Sequence, residues 1–179
     1  MTNTSEPAAA SEFPAEGRLL GIDFGTKRVG IAICNSDRTI ASPVEIYQRR
    51  NDRLDGDYFR ELAAGYRIAG FVVGLPMHVN GTEGVKAREA RAYGDWLHQL
   101  TGLPVTYWDE RYTSAVAEEY LLAAELTRKQ RKARIDKLAA QILLQGYLEH
   151  QLRLRRDAEH AAMIEEDAET NESVDAPDD

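Results

Sequence analysis

The sequence predicts an α/β domain built on a mixed sheet, and three observations support this. Residues 18–48 hold three apolar, β-branched runs separated by short polar breaks, the pattern of consecutive antiparallel strands. From residue 52 onward, helical spacing alternates with short apolar runs, the pattern of helix-linked parallel strands. At 179 residues with 43% hydrophobic content, the chain is sized for one such core plus tails.

Residues 18–24 and 29–35 form the first two strands, joined by Gly25-Thr26-Lys27-Arg28, a hairpin turn in which glycine supplies the unusual backbone angle. Residues 39–48, TIASPVEIYQ, make a weaker third strand, which Pro43 assigns to a sheet edge. Over 52–66, Leu54, Tyr58, Leu62 and Tyr66 recur every four positions, with Phe59 and Ala63 widening the stripe of an amphipathic helix. Residues 68–74, IAGFVVG, read as a buried strand ended by Leu75-Pro76. A helix follows over 84–100, with Val85, Ala92, Trp96 and Leu100 on a common side, then a strand over 104–108 and a helix over 114–126. Residues 127–137 carry six bases and read as a connecting loop. The last helix is expected from near Ile135 through Leu138, Ile142, Leu143, Tyr147 and Leu148, fading into an acidic tail.

The net charge of −8 is unevenly spread. Residues 1–17 hold three acids and no base, and residues 157–179 ten acids and no base, which leaves 22 bases against 17 acids between them, a net of +5. The expected organisation is therefore a disordered leader over 1–17, a basic domain over 18–156 and a disordered acidic tail over 157–179. A basic domain suits a polyanionic partner, for whose surface the tail either competes or merely confers solubility. No apolar run approaches a membrane span, and the leader lacks the basic and apolar regions of a signal peptide. With a single cysteine, Cys34, there is no internal disulfide and no multi-cysteine zinc site, so the expected compartment is the cytoplasm.

Three acids fall at element borders: Asp23 on the first strand, the pair Asp109-Glu110 ending the last strand, and Asp136 at the start of the final helix. Ligands of open α/β sheets collect beyond the carboxyl ends of parallel strands, where these acids can approach one another. Ala139 and Ala140 let the helix behind Asp136 pack close to the sheet. Crowded carboxylates repel, and a hard divalent cation relieves that repulsion; with no histidine or cysteine cluster, Mg²⁺ or Mn²⁺ is the natural choice. Such ions serve phosphodiester hydrolysis. Each acid also has an ordinary explanation, since Asp23 can simply accept from backbone amides and Asp136 suits a helix N-terminus. Strand alternation sends Asp109 and Glu110 to opposite faces, and spacing does not choose between them.

The stretches GIDFGTKRVGIAICN, FVVGLPMHVNGTEG, YWDERYTSAVAEEYL and RIDKLAAQILLQGYLE resemble, in order and approximate spacing, the four signature segments of the YqgF family. Its members are described as pre-16S ribosomal RNA nucleases and as Holliday-junction-resolvase-like. The resemblance covers roughly residues 18–150. It implies a ribonuclease H-like fold whose five-stranded sheet has the first strand at its centre and the fourth and fifth parallel to it. It also implies Asp23, Glu110 and Asp136 as the catalytic, metal-binding set, which selects Glu110 over Asp109. The task it implies is trimming the 5′ end of precursor 16S rRNA, with precursor rRNA or a ribosomal particle as partner.

Lys27, Arg28 and Arg111 lie beside the acids in sequence and are candidates for holding flanking phosphates, or else ordinary solvated surface. Residues 128–134 would contact nucleic acid electrostatically or serve as a solvated linker. Three rivals stand beside the rRNA nuclease. A Holliday-junction resolvase would use the same acids on branched DNA, as a homodimer rather than a monomer. A ribosome-assembly or transcription factor would bind without turnover. An ATP-binding domain is suggested by Asp-Phe-Gly-Thr-Lys, but the chain has length for one such domain and no second hairpin of the kind.

Overall fold

The computed structural model describes residues 13–113 and 128–172, with side chains defined over 13–112 and 138–164. Five strands, β1 (Arg18–Asp23), β2 (Arg28–Cys34), β3 (Ala41–Gln48), β4 (Ile68–Leu75) and β5 (Val105–Asp109), form one sheet in the order β3-β2-β1-β4-β5. The pairs β1–β2 and β2–β3 are antiparallel, whereas β1–β4 and β4–β5 are parallel. The expected mixed sheet is present, with β1 at its centre and β3 at an edge. Pro43 sits beside a register shift in the β2–β3 pairing, where an edge strand tolerates a missing N–H.

Helices α1 (Asp52–Tyr66) and α2 (Val85–Thr101) cover one sheet face, and α3 (Arg128–Glu172) crosses the other. Asn51 caps α1, its side chain accepting from the Leu54 N–H at 3.0 Å. On the α1/α2 face, Leu20, Ile22, Ile31, Phe71 and Val73 pack against Phe59, Tyr93 and Leu97; on the other, Leu19, Ala32 and Val72 meet Leu143, Leu144 and Leu148. The strands bury side chains on both faces, which is why β1 and β4 read as continuous apolar runs.

Three expectations change. The inward stripe of α2 is Ala87, Ala90, Tyr93 and Leu97, while Val85 is 62% exposed and Ala92 also faces outward. Trp96 and Leu100 do pack against the core as expected, whereas the first turns are buried through the small Ala87 and Ala90, which let the helix approach the sheet, and not through Val85. The basic segment from Arg128 is the start of α3, not a loop. Helix α3 also continues through residues 157–172, where a disordered tail was expected. Alanine and glutamate dominate that stretch, and both favour helix.

The leader is likewise held from residue 13. The Arg38 guanidinium donates to the carbonyls of Gly17, Pro14 and Glu16 at 2.7, 2.7 and 2.6 Å, and Phe13 meets the Tyr147 ring edge-on at 6.1 Å. Residues 1–12 and the helix expected over 114–126 lie outside the described residues. Two glutamines bind α3 to β3: Gln141 Nε2 donates to the Ala41 carbonyl at 2.9 Å, and Gln145 accepts from the Ala41 N–H at 2.9 Å and donates to the Thr39 carbonyl at 3.2 Å.

Candidate active site

Asp23 is the last residue of β1 and pairs across the ladder with Gly30. A Cβ on Gly30 would stand 3.3 Å from both Asp23 Cβ and Ala140 Cβ, so the carboxylate rises on the α3 face where the helix passes closest. Close passage needs small residues: a Cβ on Gly21 would lie 2.7 Å from Leu144 Cβ and 3.1 Å from the Ala140 carbonyl.

Two strands away, β5 ends at Asp109 and a 3₁₀ turn, Glu110–Thr113, begins. The turn breaks the strand alternation and swings Glu110 back over β4, where a Cβ on Gly74 would lie 2.6 Å from Glu110 Oε1 and collide with Leu143 Cδ1. Glycine at position 74 thus leaves the space in which the Glu110 carboxylate sits. Asp109 turns instead to Arg111, accepting from its backbone N–H at 3.0 Å and forming a two-pronged ion pair with its guanidinium.

Asp23 and Glu110 line one cavity of about 320 Å³ at the carboxyl ends of β1, β4 and β5, together with Gly25, Thr26, Pro76, Lys86 and Glu89. Burial, then the charges of Asp23 and Asp109, push the Glu110 carboxyl up to about 7, with Lys86 pulling the other way. Asp109 is held below the usual carboxylate range by its hydrogen bond from Arg111. Two carboxylates that resist simultaneous ionisation in one half-buried cavity are an all-oxygen donor set suited to a hard divalent cation. Among the described residues no group of three such ligands is assembled. Asp136 lies on α3 four residues before Ala140, and its side chain lies outside the described residues.

Of the expected basic residues, Lys27 in the turn and Arg28 at the start of β2 are exposed, directly after the cavity residues Gly25 and Thr26. Arg111 is engaged: besides Asp109 it donates to the carbonyls of His78 and Val79 at 3.5 and 3.3 Å, bracing the loop after β4. That loop is closed by a Met77–Glu83 bridge, and Glu83 is fixed by Arg91. Sequence reasoning missed Lys86 and Glu89, which follow the GTEG segment on the first turns of α2. The misplaced α2 stripe hid them, because it turned Val85 inward.

A polar cluster supports the turn from behind. The Arg49 guanidinium lies against the paired rings of Phe24 and Tyr93, 5.6 and 5.2 Å from their centroids, and its backbone N–H donates to the Lys27 carbonyl at 3.0 Å. Its Nε is 3.5 Å from Oδ2 of Asp55, a buried carboxylate that also accepts from Tyr47 Oη at 2.8 Å and the Arg50 N–H at 3.0 Å. Both ends of the Phe24–Lys27 turn are therefore held by one residue, Phe24 by the Arg49 side chain and Lys27 by its backbone N–H.

Residues 17–150 match the family described as "RuvX: Holliday junction resolvase". The chain belongs to the RuvX family. Two RuvX-type relatives bear the name "Putative pre-16S rRNA nuclease". The one from Rhodopirellula baltica is 42% identical over 96% of this chain and 98% of its own length. The one from Rhodobacter capsulatus is 41% identical over 82% and 92%. Among solved structures, T. thermophilus RuvC in complex with a Holliday junction substrate matches with a TM-score of 0.52 at 13% identity, over 75% of this chain and 95% of that one. The resemblance read from the four motifs thus holds, and the RuvX chain has the ribonuclease H-like fold of resolvase nucleases.

Proposed function

We propose that this RuvX-family chain is a metal-dependent endonuclease that trims the 5′ end of precursor 16S rRNA, acting in the cytoplasm. What carries this is the meeting of Asp23 and Glu110 in one cavity at the strand ends, in a chain about 40% identical to proteins named for that task. Asp23, Glu110 and Asp136 would hold the cation. An Mg²⁺ or Mn²⁺ ion there would supply Lewis-acid activation of water and offset charge on the leaving oxygen. Glu110 must be ionised to serve as a ligand, so loading releases its proton. Lys86 takes a phosphate oxygen at the cavity, and Lys27 and Arg28 take phosphates flanking it. Arg111 acts at one remove, by holding the loop after β4 against the site.

A second reading is cleavage of branched DNA, favoured by the family description. Purified protein incubated with Mn²⁺ and either precursor rRNA or a four-way DNA junction separates the two. The rRNA reading expects cleavage of the first, lost in Asp23→Asn and Glu110→Gln. Junction cleavage by a homodimer, with precursor rRNA untouched, would replace it, and variants as active as the parent would remove both.

A further inference from the structure

A second, larger concavity lies along α3 beyond the end of β5 and includes neither Asp23 nor Glu110. About 890 Å³ in volume, it runs between the end of β5 and the outer half of α3. Trp108 and Tyr112 line it from the end of β5 and the turn after it, and Gly146, His150, Arg153 and Arg156 line it from α3.

Its position is set by the same geometry as the site. Trp108 is two residues before Glu110 and pairs in register with Gly74, over which the Glu110 carboxylate sits. Leu143 packs at that glycine, and the groove opens one turn further along α3, at Gly146. From Gly146 to Arg156 the helix rises about 15 Å, room for a short run of nucleotides along the helix.

Its chemistry is that of a base-stacking track. The Trp108 ring lies 5.7 Å from Tyr112 and 5.2 Å from His150, both tilted, and Tyr112 is 65% exposed with ring surface to spare. Trp108 Nε1 is buried with no acceptor among the described residues. Two guanidinium groups line the groove against Glu149 and Asp157, and Glu149 is already bonded by Gln145 at 3.1 Å. Aromatic faces bind any base, and a cationic rim follows the backbone.

We infer that this groove is a subsite for an unpaired, single-stranded stretch of the polynucleotide whose scissile phosphodiester lies at Asp23 and Glu110. It rests on the nuclease reading above and deepens it: the substrate is cut where a single strand leaves a structured region.

The test is fluorescence titration of the full chain in EDTA, where no strand is cut, with oligouridylate and oligothymidylate of about ten nucleotides. A Trp96→Phe background leaves Trp108 as the reporter. Either oligonucleotide should quench it. Tyr112→Ala should raise Kd about tenfold and Tyr112→Phe less than about twofold. Replacing Arg153 and Arg156 together by Gln should lower the salt slope by about 1.4. Equal affinity for the two sugars supports a track that reads unpaired bases alone, and tighter uridylate binding supports its RNA form. Absence of quenching, an unchanged Kd in folded Tyr112→Ala, or a blunt duplex bound with equal dependence on Tyr112 would overturn the inference. Because neither metal nor cleavage enters the titration, an inactive enzyme leaves this result standing, and a failed titration with cleavage intact removes the groove alone.

Discussion

Glu110 keeps its proton to a higher pH than a glutamate in water, and this ties cation loading and stability to pH in opposite directions. Between about 4.5 and 7 the folded protein holds a proton at Glu110 that the unfolded chain has released, so the metal-free protein loses stability as pH rises through that window. The loss is on the order of 1–3 kcal/mol. Glu110→Gln should abolish this slope, giving a higher Tm than the parent at pH 8 and little difference at pH 4.5, measured by thermal unfolding in EDTA. Divalent binding should strengthen across the same interval, which titration calorimetry at pH 5.5 and 7.5 would read. Asp23→Asn should bring the Glu110 pKa down only part of the way by NMR titration, because burial is the larger cause and remains. Lys86→Gln should push that pKa further up and raise KM several-fold; an unchanged KM would deny Lys86 its phosphate.

At the scale of elements, the acids are placed by what is missing from their neighbours. Gly21, Gly30 and Gly74 form a bare track on the α3 face across three adjacent strands, and α3 settles onto it through Ala140, Leu143 and Leu144. Gly74→Ala should cost about 1–3 kcal/mol, read as a lower urea midpoint, and should reduce cleavage by displacing Glu110. Asp55→Ala, which leaves Arg49 without its buried partner, should cost about 3 kcal/mol and loosen the turn after Asp23. These elements differed in how far the sequence revealed them. The strands were legible because β1 and β4 are buried on both faces, and α1 because its stripe is regular. The face of α2 was legible only in its second half, where Trp96 and Leu100 pack against the core, because Ala87 and Ala90 carry the first half and apolarity scarcely marks them. Asp23 was visible as an acid in an apolar run, but Glu110 could not be told from Asp109 until the 3₁₀ turn broke the alternation. Lys86 and Glu89 come from an element without any motif of its own, and only the fold brings them to the cavity.

Across the whole molecule, α3 carries its last acids away from the catalytic cavity. From Ala140, beside the acids, to Asp157 the helix rises about 25 Å, several Debye lengths at physiological salt. The acids of α3 beyond Asp157, which itself lines the groove with Arg153 and Arg156, are therefore carried away from the Asp23–Glu110 cavity, and truncation after Asp157 should change cleavage by less than about twofold at 0.15 M salt. A severalfold gain would show that the acidic segment competes for substrate after all. The two glutamines that seat α3 on β3 have a different consequence. Ala41 stands on the outermost strand, where its peptide N–H and carbonyl would otherwise offer a pairing template to another chain. Gln145 and Gln141 occupy both groups, so helix side chains stand in for the neighbour the strand lacks. The same contacts that dock the helix also blunt one flank of the sheet against uncontrolled self-association.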